Sequence, residues 1–508
     1  MIVGTDSPAG GDAAERSAAA DPTGVGSRRG ADGGGAGEWE TVIGLEVHCE
    51  LATATKLFCG CPNQFGSAPN TNVCPVCLGL PGSLPVLNAR AVDFAMRLGR
   101  ALHCTVQPST FARKNYFYPD MPKDYQVTQF DQPTNIDGRL DLPSGVRVGI
   151  ERAHIEEDTG KSTHVGGGGR IHEAGHSLVD YNRAGVPLVE IVGRPDLRSG
   201  EDAKAYVAEL RAVLLAVEVS DAKMEEGSMR VDANVSVRRV GAEAFGNRCE
   251  IKNLNSLRSL GRAIDYEAAR QIDLLEAGER VIQQTRHWDE ADGRTHTLRS
   301  KEEAYDYRYF PEPDLVPLVP DPEWLAALDA SIPPLPAERR DALAAAAGVS
   351  SADTALVVDR GLDHLVLAAI GAGADPRRLL THAEQNLAVD GAADLDPGAF
   401  AELVRMEAEG ALTPTQAKAV LAEMVGTGAA PAAIATEKGF AALSADALGD
   451  VVDGIIAANA EQWERFVTGD DKARGKLTGF FVGQVMKATQ GNADGKTVTA
   501  LLEQRRAG

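Results

Sequence analysis

From Thr41 to Leu51 the chain reads TVIGLEVHCEL, and its residues alternate: Ile43, Leu45, Val47, Cys49 and Leu51 fall on one face, Val42, Gly44, Glu46, His48 and Glu50 on the other. A period of two over that length predicts a half-buried strand. Val231 to Val237 repeats the period, with Val231, Ala233, Val235 and Val237 set against Asp232, Asn234 and Ser236. Two stretches switch to helical spacing. Ser199 stands as an N-cap, with Asp202 three residues on, before a stripe of Ala203, Tyr206, Val207, Leu210, Val213, Leu214 and Val217. A second helix is predicted from about Leu257 to Ala277, stopped by Gly278. The five prolines that follow Phe310, up to Pro322, exclude regular helix and predict a domain boundary. Before that run the pattern is α+β; after it, alanine-rich helical segments separated by Gly and Pro continue to the end, with no internal repeat evident.

Composition narrows the class. A chain of 508 residues exceeds one compact core, so two to four domains are expected. With 44% apolar and 24% charged residues, and no apolar run near the roughly 20 residues of a membrane span, the expectation is a globular protein that crosses no bilayer. Residues 1–37, with 10 Gly and 8 Ala and few larger aliphatics, predict a disordered leader. They contain no apolar segment of signal-peptide type, which points to the cytoplasm. Seven cysteines, an odd number, suit thiols and a metal better than a disulfide frame. The net charge of −22 is unevenly spread: Asp321 to Asp471 holds 25 acidic and 9 basic residues, whereas Lys472 to Gly508 holds 2 acidic and 7 basic. A phosphate backbone would meet that basic tail and not the total.

Four of the cysteines form Cys59-x-Cys61 and Cys74-x-x-Cys77, two knuckles joined by 12 residues. The spacing predicts a structural tetrathiolate zinc site, closed to catalysis because sulfur fills every position; the other reading is a set of unligated thiols. On the second face of the first strand, Glu46, His48 and Glu50 stand roughly 6–7 Å apart, near enough for two of them to share a cation or, equally, simply to face water. The run RAHIEEDTGKSTH places Glu156, Glu157 and Asp158 in succession, and LVEIV sets Glu190 alone among aliphatics. A carboxylate there needs a cation or a donor unless an edge strand shows it to solvent. Gly160-Lys161-Ser162 imitates the end of a phosphate-binding loop, but Ile155 occupies the position of the required first glycine, and that motif is rejected. Lys223 and Arg230 in KMEEGSMR, and Lys252 and Asn253 in EIKNLN, put basic and amide groups beside strands as nucleotide or substrate candidates. In the tail, Gly475, Gly479 and Gly483 recur every fourth residue beside Lys472, Lys476 and Lys487. Three helix-weakening glycines on one stripe imply a close approach, either by another helix of the same domain or by an RNA backbone.

The runs TVIGLEVH, RKNYFYPDMPKDYQVTQFDQP, EEDTGKSTH, VDYNRAGVPLVEIV, KMEEGSMRVDANVSVR, EIKNLNS, DYRYFPEPDLVP and GKLTGFFVGQVMKAT together resemble the B subunits of the aspartyl-tRNA/glutamyl-tRNA amidotransferases. The resemblance spans Thr41 to near the C-terminus. It implies a glutamine-synthetase-like cradle domain with the zinc loop over 38–322, a helical domain over 323–442 and a helical tRNA-binding tail over 443–508. It further implies ATP-dependent phosphorylation of the side-chain carboxylate of Glu or Asp misacylated on tRNA(Gln) or tRNA(Asn), then displacement of phosphate by ammonia. Glu46, His48, Glu156 and Glu190 would hold magnesium or, given the imidazole, manganese. Lys114 and Glu157 would lie on the path of ammonia, and Lys472, Lys476 and Lys487 would meet tRNA. The chain shows no glutaminase centre of its own, so ammonia is expected from a separate glutaminase (amidase) subunit, with a third, small subunit joining the two in a heterotrimer. Zinc would support this branch of the family structurally, since some members lack the thiols. The rival readings are a freestanding carboxylate–amine ligase on a small substrate, which would have no use for the basic tail, and a non-catalytic RNA-binding adaptor.

Overall fold

The computed structural model describes residues 38–166, 174–300, 307–440, 445–489, 493 and 495–507. The leader expected over 1–37 and the division expected at 442/443 lie outside the described residues. The strands are β1 (Trp39–Glu50), β2 (Thr105–Val106), β3 (Ala112–Asn115), β4 (Tyr125–Thr128), β5 (Asn135–Asp141), β6 (Arg147–Glu157), β7 (Lys161–Val165), β8 (His176–Asp180), β9 (Pro187–Gly193), β10 (Met229–Arg239), β11 (Cys249–Lys252), β12 (Gln284–Asp289), β13 (Arg294–Ser300) and β14 (Phe310–Pro311). Nine of them form one sheet in the order β13-β12-β11-β10-β1-β9-β6-β5-β2; β14, β3 and β4 form a second, and β7 and β8 a hairpin. Only the β11–β12 contact is parallel among the described pairings of the large sheet.

The first strand lies at the centre, antiparallel to β10 and β9. Its alternation is the one read from the sequence: Ile43, Leu45, Val47, Cys49 and Leu51 are all buried in the main core. Helices α1 (Ala89–Ala101), α2 (Gly200–Ala216) and α3 (Leu257–Glu276) add their apolar stripes to the same core, on the face of β1 opposite Glu46 and His48. Ser199 caps α2 as expected, its side chain accepting from the Asp202 N–H, and the stripe from Ala203 to Val217 is buried throughout. Gly278, just past α3, takes φ +79°, a left-handed conformation that stops the helix where the sequence placed the stop.

Helix α4 (Pro322–Ser331), after the proline-rich run, folds back on α1 through Arg100, whose guanidinium donates to both Asp329 oxygens at 2.6 and 2.8 Å. The first core accordingly continues to Leu335. A second core, from Leu343 to Ala435, joins α5 (Pro336–Ala347), α6 (Ala355–Asp359), α7 (Asp363–Gly371), α8 (Pro376–Gln385), α9 (Pro397–Ala408), α10 (Pro414–Thr427) and α11 (Pro431–Glu437). Pro stands at the first turn of five of these helices, where its fixed φ and missing N–H cost nothing. A third, small core joins α12 (Ala445–Ala458), α13 (Ala460–Thr468), α14 (Asp471–Ala488) and α15 (Gly495–Ala507) around Phe466 and Phe481. Among the described residues no single helix is long and apolar enough to cross a membrane.

One glycine is required by packing. A Cβ on Gly99 of α1 would stand 1.9 Å from Oδ1 of Asn135, a fully buried side chain that donates to the carbonyls of Ala95 and Ala153 at 3.1 and 2.9 Å. Asn135 thereby ties α1 to β5 and β6. In an exposed helix Gly→Ala gains about 1 kcal/mol. Here the clash reverses the sign, and Gly99→Ala is expected to destabilise by about 1–3 kcal/mol, read as a lower denaturation midpoint at unchanged slope.

Candidate functional site

The antiparallel register sets His48 of β1 opposite Glu190 of β9, and Glu190 opposite His154 of β6. Glu156 follows His154 by two residues and so projects from the same face. The result is a compact group: His48 Nε2 lies 3.7 Å from Glu156 Oε1 and 3.8 Å from Glu190 Oε2, and His154 Nε2 lies 3.3 Å from Glu190 Oε2. Ligand atoms of His48, Glu156 and Glu190 all fall within 4.8 Å of one another. The two His48 separations are too long for hydrogen bonds. They are close to the roughly 3.0–3.4 Å between adjacent ligands of an ion bound at about 2.1 Å, and one imidazole with two carboxylates is a donor set for a divalent cation. Burial opposes ionisation of Glu190, but the His154 hydrogen bond and the nearby Lys114 ammonium help to override it, and the carboxyl is held well below the usual range. Burial likewise disfavours the Lys114 ammonium, yet Glu156, ahead of Tyr309, Tyr307 and Glu190, holds it above its ordinary value. Its Nζ sits 4.7 Å from the centroid of Tyr307.

Glu46 stands apart from that group. Its Oε1 accepts from Asn234 Nδ2 at 2.9 Å, and with Asn234, Arg248 and Glu250 it lines a neighbouring hollow on the same sheet. Burial first, and then Glu190, pushes its carboxyl up. Glu157 leaves β6 on the face opposite Glu156: it is ion-paired with Lys123 and accepts from the Val127 N–H at 2.9 Å. Together Glu157 and Lys123 line a cavity with about 60 Å3 of space open to water, whose wall includes Cys59 and Cys77.

The four thiols of Cys59, Cys61, Cys74 and Cys77 converge, all within 4.8 Å. The Cys59 thiol hydrogen-bonds Cys77 and pulls it down to about 5, with the Cys74 N–H also donating to the Cys77 sulfur at 3.1 Å. That same bond keeps Cys59 protonated, and burial pushes Cys61 up to about 11. A cluster that stabilises one thiolate and withholds the others is what a tetrahedral cation would relieve.

The basic and amide candidates are engaged. Arg230 Nη2 donates to Asp158 Oδ2 at 2.8 Å, and Arg230 with Arg183 keeps that buried carboxylate ionised against desolvation. Lys252 Nζ meets Asp232 at 2.6 Å and Glu250 at 2.9 Å. Asn253 holds the Trp288 carbonyl at 2.9 Å from a left-handed φ of +68°, and exposed Lys223 pairs with Glu226 at 2.9 Å. His154 and Lys123 escaped the sequence reading, while Asp158 entered it only as one of three successive carboxylates and Asn234 only as a polar strand position; His154 left a signal in the alternation His154, Glu156, Asp158 along one face of RAHIEED. In the tail, a Cβ on Gly475, Gly479 or Gly483 would meet nothing within 4 Å, and all three are exposed. No described helix of the domain packs on that stripe, so of its two readings the helix is removed. Lys476 and Lys487 are exposed beside it, while the side chain of Lys472 lies outside the described residues.

The convergence of the thiols has a direct test. Purified, reduced protein should carry one zinc per chain, and Cys74→Ser should lose it and unfold at a lower temperature. Absence of zinc from the wild-type protein contradicts the assignment.

A family model described as "GatB/GatE catalytic domain" matches residues 41–326, and a second, described as "GatB domain", matches residues 379–505. The chain is 49% identical over 484 residues to the B subunit of the aspartyl/glutamyl-tRNA(Asn/Gln) amidotransferase of Nocardia farcinica, covering 91% of this chain and 95% of the relative. The proteins of the same name from Salinispora arenicola and Moorella thermoacetica are 50% and 48% identical, over 92% of this chain and 96% and 100% of theirs. The residues that build the His48 cluster and the thiolate cluster fall within the catalytic-domain match, and with that match covering more than half of its length the chain belongs to the B-subunit family of these amidotransferases.

Proposed function

We propose that the chain is the activating subunit of a tRNA-dependent amidotransferase. It uses ATP to phosphorylate the side-chain carboxylate of Glu on tRNA(Gln) or Asp on tRNA(Asn), and amidates the product with ammonia from a partner glutaminase. The partners in this reading are that glutaminase, of the amidase type, and a third, small protein that completes a heterotrimer; the setting is the cytoplasm. The observation that carries it is the His48, Glu156, Glu190 group on the face of the sheet away from the core helices in a chain of this family. A carboxylate is a poor electrophile, and its conversion to an acyl phosphate supplies a leaving group that an amine can displace.

In this reading His48, Glu156 and Glu190 hold magnesium or manganese, and Glu46 borders the site from the Asn234 side. The cation, when bound, supplies the positive charge that a transferring phosphoryl group requires. Lys114, kept protonated by Glu156, offers a second cation beside it. Glu157 and Lys123 give the adjoining cavity one acceptor and one donor, suited to a small polar amine in transit. Arg230, Lys252, Asn253 and Lys223 are assigned to the walls around the nucleotide and substrate. Because the first three are engaged by Asp158, by Asp232 and Glu250, and by the Trp288 carbonyl, their role is to shape the site as much as to touch ligand. The thiolate cluster holds structural zinc. The tail, with its open glycine stripe and Lys472, Lys476 and Lys487, is assigned to tRNA, and the 38–322 unit to a glutamine-synthetase-like cradle.

The test is ATP-dependent amidation by the reconstituted complex, assayed on both misacylated tRNAs. His48→Ala should lower amidation with supplied ammonium by at least about a hundredfold while the partner's glutamine hydrolysis continues. Amidation at the wild-type rate in that variant contradicts the metal assignment, and absence of amidation by the wild-type complex contradicts the function.

A further inference from the structure

The first core ends at Leu335 and the second begins at Leu343. Between them the chain passes through Ile332, Pro333, Pro334 and Leu335 into α5, whose first residue is Pro336. Three prolines in four positions fix φ and stiffen that connection. Across it stands one buried ion pair: Arg340 of α5 donates from Nη1 and Nη2 to both oxygens of Glu209 of α2, at 2.7 and 2.9 Å, with side chains only 3% and 4% exposed. Among the described residues it is the one ion pair that joins the two cores. The preceding residue, Arg339, makes a second fork into its own bundle, with Nε 2.9 Å from Oδ2 of the buried Asp363 of α7. Two consecutive arginines thus grip two bodies from one helix.

Such a pair is a poor device for stability. Desolvating two charges costs about what their attraction returns, and well-packed apolar residues in their place are often as stable or more so. What a planar fork supplies is geometry, since two parallel hydrogen bonds fix distance and angle together. On the catalytic side the fixed element leads to the site. Tyr206, one turn before Glu209 on α2, packs on β9, where a Cβ at Gly193 would lie 3.3 Å from its hydroxyl, and β9 carries Glu190. On the other side α5 opens the helical region that leads to the tail.

We infer that Arg340 and Glu209 are positioning residues, a lock that sets the helical region, from which the chain continues to the tail, at one orientation to the His48, Glu156, Glu190 site. The inference rests on the proposed function, because it places one end of a long substrate at the tail and the other at the sheet. The double variant E209M/R340M removes the lock without leaving a buried charge. In the assembled complex it should keep or raise its melting temperature, while the KM for misacylated tRNA rises roughly tenfold or more and kcat at saturation and glutamine hydrolysis stay near wild type. Small-angle scattering should show a wider distribution of shapes. E209Q, which leaves the arginine unpaired, should raise KM and lower stability together. A folded double variant with unchanged KM and unchanged scattering overturns the lock; so does failure of the double variant to fold, which would make the pair a stabilising element. If the wild-type complex amidates no tRNA, the functional reading falls while the scattering arm still decides on the lock.

Discussion

Everything in the catalytic half depends on the register of three antiparallel strands. Because β1, β9 and β6 are paired as they are, His48, Glu190 and His154 stand in one row, with Glu156 two residues along. A slip of one residue would send every one of these side chains to the opposite face, into the core that Ile43, Leu45 and Val47 fill. Burial of the apolar face therefore fixes the polar one. The helices on one side of the sheet make the arrangement of charge on the other side unavoidable.

Alternation on β6 also separates two kinds of chemistry. Glu156 belongs to the imidazole–carboxylate row, whereas Glu157, its neighbour, belongs to the cavity of Lys123 and the thiolate knuckles. Adjacent residues of one strand thereby serve two neighbouring compartments. The thiol loop, through Cys59 and Cys77, forms part of the second compartment's wall and so helps to shape the space beside Glu157.

Much of this was legible in the sequence, and the reason is periodicity. The faces of β1 and β10, the Ser199 cap and stripe of α2, the stop at Gly278 and the thiol knuckles all follow from local spacing. Glu190 announced itself because a lone carboxylate among aliphatics requires a partner. What spacing could not reach was pairing at long range. Nothing near Arg230 in the chain points to Asp158, nor does anything near Lys252 point to the company of Asp232 and Glu250, so residues that read as free phosphate binders turn out to be neutralised. Glu46 shares a strand face with His48, yet its side chain turns to Asn234 on the next strand, a choice that depends on the neighbour and not on the period. The tail glycines imply close approach, and only the fold shows that no described helix makes it.

In the proposed function the row formed by His48, Glu156 and Glu190 binds a divalent cation. Manganese titration of the assembled complex, followed by electron paramagnetic resonance in the absence of nucleotide, tests it most directly when wild type is compared with Glu190→Gln. The wild type should hold one manganese with imidazole nitrogen in its coordination sphere, and the variant should lose that signal. Equal binding by both, or a bound manganese without a nitrogen ligand, would contradict it.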